Sequence, residues 1–204
     1  MQFHYSQECN VQILLSLLKA NGINKIIASP GTTDIPFVVS VQYDEYFKVF
    51  SCVDERSAAY MACGLADETG EPVVIVCTGA TASRNYLPGL TEAFYRKLPV
   101  IAVTSTQPTE RVGNLSPQLI DRSVSQKDVS VFKCNLQNIA SKLDEWSVNI
   151  KVNKALSELK RQGGGPVHIN LETSYNMNFN VKQLPATKVI RRYAIGGDCP
   201  RTTA

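Results

Sequence analysis

Four short apolar runs govern what this chain can become: Lys25–Ala28, Pro72–Cys77, Pro99–Thr104 and Pro166–Leu171. The Val-Val-Ile-Val stretch in the second is apolar at every position, as a strand buried on both faces requires. Between these runs the period changes. Ile13, Leu14, Leu17 and Leu18 recur at helical spacing within Val11–Lys19, and Asn21-Gly22 supplies the stop. Asp54–Thr69 reads as a helix with Asp54 at its cap, Thr81–Arg96 as a second, and Asp144–Gln162 as a third. Tyr46–Val53 and, more weakly, Val131–Cys134 read as further strands. Strands alternating with helices pair in parallel. The sequence therefore predicts an α/β fold: a doubly wound, mainly parallel sheet of about six strands, with helices on both faces.

A length of 204 residues suits one domain and a tail better than two full domains. We expect the domain to occupy residues 1–175. Residues 176–204 are polar, carry Pro185 and Pro200 and hold no sustained period, so they read as a linker. No apolar run approaches the ~20 residues of a membrane span, and the first ten residues do not read as a secretory signal. A formal charge of +3 is too small and dispersed for a nucleic-acid footprint. The six cysteines form no Cys-x-x-Cys or Cys/His cluster. They read as reduced, packed thiols of a cytoplasmic protein, not as a zinc site.

In open parallel sheets, ligands bind beyond the carboxyl ends of the strands. That rule selects Ser29–Thr33, Asp54–Arg56, Thr78–Thr81 and Ser105–Gln118. Three of these are rich in Gly, Ser and Thr, which let backbone approach a ligand. In the other, Glu55 has two readings: an acid favoured in a first helical turn by the macrodipole, or a catalytic carboxylate. The helix behind it is a thin rod of Ser57, Ala58, Ala59, Ala62, Gly64 and Ala66, able to pack closely against a neighbour. Gly163-Gly164-Gly165 precedes a strand, which suits a helix stop and turn and not a phosphate cradle. His168 sits inside a strand and reads as a packed or interface histidine. No nucleotide fingerprint is present, so a nucleotide-binding module remains only as a third reading.

Asp54-Glu55-Arg56-Ser57-Ala58-Ala59, Gly64-Leu65-Ala66, Cys77-Thr78-Gly79-Ala80-Thr81-Ala82, Asn85-Tyr86, Pro88, Glu92-Ala93, Pro99-Val100-Ile101 and Gly165-Pro166-Val167-His168-Ile169-Asn170 follow one another in a single register. Together they resemble the N-terminal, pyrimidine-binding domain of thiamine-diphosphate enzymes. Ser29-Pro30-Gly31 and Pro117-Gln118-Leu119-Ile120 look most similar to the menaquinone-pathway SEPHCHC synthases. The resemblance implies that Glu55 hydrogen-bonds N1′ of the cofactor's aminopyrimidine and favours its imino tautomer. It implies cofactor contacts at Pro30, Gly31, Thr78, Gly79 and Ala80, and substrate-side positions at Thr32 and Gln118. The implied activity is decarboxylation or carboligation of a 2-oxo acid, and the implied partner is a second copy of the chain in a homodimer. A non-catalytic assembly or sensing domain of the same fold is the alternative.

Two departures bear on the acceptor. Those synthases usually follow Ser-Pro-Gly with Ser-Arg-Ser, where this chain has Thr32-Thr33-Asp34. They usually carry Ala-Asp-Arg-Pro where it has Ser105-Thr106-Gln107-Pro108. Losing two arginines, the residues that grip carboxylates with a two-pronged fork, predicts an acceptor other than an isochorismate-like polyanion. Arg84 and Arg111 are the candidates to compensate. The family holds Mg2+ and diphosphate through a second domain with Gly-Asp-Gly and a later Asn. Here only Gly196-Gly197-Asp198-Cys199 appears, at the end. We therefore expect no metal ligands in this chain, Mg2+ only through a separate diphosphate-binding domain or subunit, and no turnover by the chain alone. It is either a piece of a longer polypeptide or a natural small subunit, and the linker-like tail favours the piece.

Overall fold

The computed structural model describes residues 4–122 and 124–191. Its strands are β1 (Tyr5–Ser6), β2 (Lys25–Ser29), β3 (Lys48–Ser51), β4 (Val73–Thr78), β5 (Val100–Thr106), β6 (Phe132–Leu136), β7 (Val167–Glu172) and β8 (Phe179–Val181). Its helices are α1 (Cys9–Ala20), α2 (Ile35–Tyr43), α3 (Glu55–Thr69), α4 (Leu87–Arg96) and α5 (Lys142–Glu158). Six strands form one sheet in the order β3-β2-β4-β5-β7-β6, with every neighbouring pair parallel. This is the doubly wound sheet expected from the alternating pattern.

Side-chain alternation along the strands divides the core. Val74 and Val76 of β4 face one side, packed with α1, α2 and α5 through Leu14, Leu17, Phe37, Val148 and Val152. Val73, Ile75 and Cys77 face the other, against Ala58, Ala59 and Ala62 of α3 and Leu90 and Ala93 of α4. The small residues of α3 do the packing expected of a thin rod. Its close neighbour is α4: a Cβ built on Gly89 would lie 2.5 Å from Ala59 Cβ, and the Cys63 thiol reaches Gly89 O at 3.2 Å.

Local chemistry sets the element ends. Asp54 caps α3 by accepting from Ser57 N at 2.9 Å, and Gly70 ends it in the left-handed region at φ 66°. Ser141 and Asp144 form a reciprocal capping box on α5. Gly164 makes the turn before β7, where a Cβ would meet Leu159 O at 2.1 Å.

Three features depart from the sequence pattern. Thr81–Arg96 is not one helix: a 3-10 turn over Ala82–Tyr86 precedes α4, which has Pro88 in its first turn. Helix α2 lies in a stretch to which the periodicity assigned nothing. Finally, β1 pairs antiparallel with β8, so the chain after β7 returns to the domain. Glu8 accepts from the backbone N–H groups of Ser174 and Asn176, and Asn153 binds Lys188 O and Ile190 N. Residues 176–191 are therefore laid against α1 and α5. Gly196-Gly197-Asp198-Cys199 and the rest of the tail lie outside the described residues. Among the described residues, no helix is long and apolar enough to cross a membrane.

Candidate functional site

The strand order reverses between β2 and β4, because β3 lies on one side of β2 and all later strands on the other. A crevice at the carboxyl ends of two such strands is the usual ligand position in this architecture. The loops that leave β2 and β4 are Pro30–Gly31 and Gly79–Ala80; the first packs against the end of β4 and the second against the end of β5. A Cβ on Gly31 would fall 2.2 Å from Thr78 Cγ2, and one on Gly79 would fall 2.6 Å from Thr106 Cβ and 2.7 Å from Ser105 O. Glycine is needed at both positions because neighbouring chain occupies the space. The predicted residues Pro30, Gly31, Thr78, Gly79 and Ala80 are thus brought together.

Buried threonines and an aspartate lock this rim. Thr33 Oγ1 donates to Ser105 O at 2.7 Å, and Thr173 Oγ1 donates to Thr33 O at 2.8 Å. Asp34, fully buried, accepts from Gly31 N at 2.8 Å through Oδ1, while its Oδ2 has no partner. Burial raises the Asp34 carboxyl to about 7, against the lowering effect of the Gly31 hydrogen bond. Ser29 Oγ, Ser105 Oγ and Thr106 Oγ1, at the ends of β2 and β5, are likewise buried without partners. The rim therefore carries more polar capacity than the chain itself satisfies.

Glu55, the first residue of α3, is half-buried, and Asn85 Nδ2 donates to its Oε2 at 3.4 Å. Asn85 belongs to the 3-10 turn that follows Gly79–Ala80, so the carboxylate stands beside that turn. Cys77, the penultimate residue of β4, registers the same proximity. Burial pushes its thiol up to about 12, and the charges of Glu55 and Asp34 act in the same direction. Thr32 is exposed next to Gly31. Gln118 is exposed at φ 56° in the segment between β5 and β6.

Neither arginine considered as a substitute is merely solvated. Arg111 Nη1 donates to Gln107 Oε1 at 3.0 Å, and Gln107 Nε2 donates to Pro117 O at 3.0 Å. Arg84 Nη2 donates to Asp121 O at 3.2 Å. The sequence reading missed Asn85 as a partner of Glu55, and Asp34 as the residue that fixes Gly31. The second was legible as an acid three residues after a glycine turn, a spacing at which a carboxylate reaches back to backbone N–H.

A rim of partly buried loop residues at Gly31 and Ala80 with a half-buried carboxylate nearby is chemically suited to a polar heteroaromatic ring that exchanges a proton with that carboxylate. Residues 10–129 match the family described as thiamine pyrophosphate enzyme, N-terminal TPP binding domain. The chain is 36% identical over 190 residues to 2-succinyl-5-enolpyruvyl-6-hydroxy-3-cyclohexene-1-carboxylate synthase of Bacteroides thetaiotaomicron, covering 93% of this chain and 34% of that protein. It is 35% identical over 172 residues to the synthase of the same name from Porphyromonas gingivalis, covering 84% and 30%. The chain thus spans about a third of the length of the curated relatives it matches. Its fold is similar to benzoylformate decarboxylase from Polynucleobacter necessarius, with TM-score 0.70 and 19% identity over 92% of this chain and 33% of that one.

Proposed function

Because the chain belongs to the thiamine pyrophosphate enzyme family through that family's N-terminal TPP binding domain, we propose that it is the cofactor-activating part of a thiamine-diphosphate-dependent 2-oxo acid decarboxylase or carboligase. The observation that supports this reading is the hydrogen bond from Asn85, in the turn that follows Gly79–Ala80, to the Glu55 carboxylate.

The residues fit such a cofactor. Gly31 and Gly79 let the ends of β2 and β4 pack tightly against Thr78, Ser105 and Thr106, which fixes the rim on which a flat ring would rest. Glu55 has one carboxylate oxygen engaged by Asn85, which leaves Oε1 for the N1′ position of an aminopyrimidine. A charge-assisted hydrogen bond there is roughly twice as strong as a neutral one, and it holds a proton at that ring nitrogen. When bound, thiamine diphosphate would supply a ring C–H acidic enough to lose its proton, and so a carbon nucleophile toward a 2-oxo acid. The role of Glu55 is to set the pyrimidine's protonation state, an acid–base contribution of about 10²–10⁴-fold.

We assign Mg2+ and the diphosphate to a diphosphate-binding domain or subunit outside this chain, and we assign the chain a homodimeric partner. The outward side of α3 supports a docking role, since Tyr60, Met61 and the preceding Val53 are exposed. A cytoplasmic location accords with the five described cysteines, all free.

Thr33 and Gln107 support an acceptor less anionic than the SEPHCHC-type resemblance implies. Thr33 is buried as a tie between strand ends and presents no charge, while Gln107 positions Arg111 as one cation in place of two. The test is turnover by the complete assembly with Glu55→Gln. The proposal expects kcat to fall at least 100-fold with folding intact; unchanged turnover leaves only an assembly role for this domain.

A further inference from the structure

Helices α3 and α4 cover β2, β4 and β5 on one side of the sheet. The register with Ala102 and Thr104 of β5 puts His168 and Asn170 of β7, and Lys133 and Asn135 of β6, on that same side. Apolar helices therefore give way to polar side chains within one sheet face. These four residues, with Thr109 and Arg122 from the chain between β5 and β6, line a cavity of about 510 Å³. That volume lies within the ~300–1,000 Å³ range of small-molecule sites. Gly31, Glu55, Thr78 and Gly79 do not line it.

Most of the cavity's polar groups are held by one another. Thr104 Oγ1 is 2.8 Å from His168 Nε2, Asn170 Nδ2 donates to Asn135 Oδ1 at 2.6 Å, and Asn135 Nδ2 donates to Glu172 Oε1 at 2.6 Å. This network fixes the wall. Burial, with Arg122, Lys133 and Arg84 nearby, pushes the His168 imidazole down to about 3, so it is neutral.

Arg122 is the exception. Its Nη2 donates to Ser83 Oγ, but its Nε is buried with no partner. The ion pairs among the described residues do not include it. Burial pushes its guanidinium down to about 10, and the nearby Arg84 acts in the same direction. A desolvated charge without a counter-ion is strongly unfavourable, and the fork of an arginine matches a carboxylate. Among the described residues, the charged groups of the lining are Arg122, Lys133 and Asp121, one net positive charge, which suits a single negative charge better than two.

We propose that this cavity binds a small organic monocarboxylate, its carboxylate against Arg122 and its hydroxyl or carbonyl groups against Asn135 and Asn170. The inference stands apart from the cofactor reading, since it uses a different set of residues. The test is calorimetric titration of the 204-residue chain with 4-hydroxybenzoate, its neutral twin 4-hydroxybenzamide, and phenyl phosphate. We expect the benzoate to bind at least tenfold more tightly than the amide, and more tightly than the phosphate. Arg122→Gln weakens the benzoate at least tenfold. Lys133→Gln, at the exposed rim, weakens it a few-fold and decides the matter if the Arg122 variant does not fold. No heat with the benzoate, equal affinity for the amide, a preference for the phosphate, or wild-type affinity in the folded variants overturns the proposal.

Discussion

Asp34 shows how one side chain ties the candidate site to the stability of the whole fold. Its carboxyl is raised from 3.8 to about 7 by burial, so the folded state binds a proton more tightly than the unfolded state. Linkage then gives the sign: the contribution of Asp34 to stability is fully present below about pH 4 and is lost as pH rises toward and through about 7. At 1.36 kcal/mol per pKa unit, the full swing is on the order of 4 kcal/mol. Asp34→Asn keeps an oxygen for Gly31 N but cannot ionise. Urea denaturation from pH 4 to 8 is expected to show a smaller loss of stability with rising pH in the variant. Parallel curves for the two proteins contradict this.

Among the elements, the glycines of the switch point and the glycine of α3 make opposite predictions. Gly79→Ala places a methyl group against Ser105 O and Thr106, and overpacking of this kind costs about 1–3 kcal/mol. Gly64 in α3 has nothing within 4 Å of a built Cβ, so Gly64→Ala stabilises the isolated chain by up to about 1 kcal/mol through helix propensity. Chemical denaturation of both variants tests the contrast, and a stabilised Gly79→Ala would show that the loops are not packed as described.

The same elements show what the sequence disclosed. The β4 and β5 runs and the α1 period were readable because burial on both faces of a sheet, or on one face of a helix, leaves a periodic trace. Helix α2 was not. Ile-Pro-Phe-Val-Val-Ser-Val-Gln-Tyr is rich in β-branched residues and has no polar face, because most of it is buried. The pairing of β1 with β8 was invisible, since strands of two and three residues carry no period. Gly31, Gly79 and Glu55 were legible as strand-end residues. The cavity over β6 and β7 was not, because Arg122 falls in an irregular stretch and its partners meet it only through the sheet register.

For the whole molecule, the question is what covers α3. Tyr60 and Met61, on the helix that begins with Glu55, are about half exposed, and Val53, two residues before that helix, is 92% exposed. Exposed apolar residues grouped in this way suit the self-association proposed above. Sedimentation of the chain is expected to show concentration-dependent self-association that Tyr60→Asp weakens without altering the circular dichroism spectrum. A strict monomer at all concentrations contradicts the homodimer assigned above.

The account rests on Glu55 acting on the pyrimidine ring and not simply on its place in a first helical turn. Proton NMR can follow hydrogen–deuterium exchange at the thiazolium C2 of thiamine diphosphate bound to the complete assembly, wild type against Glu55→Gln. Exchange slowed by at least about 10² in the variant, with cofactor still bound, is the predicted result. Equal exchange rates would show that this carboxylate does not activate the cofactor.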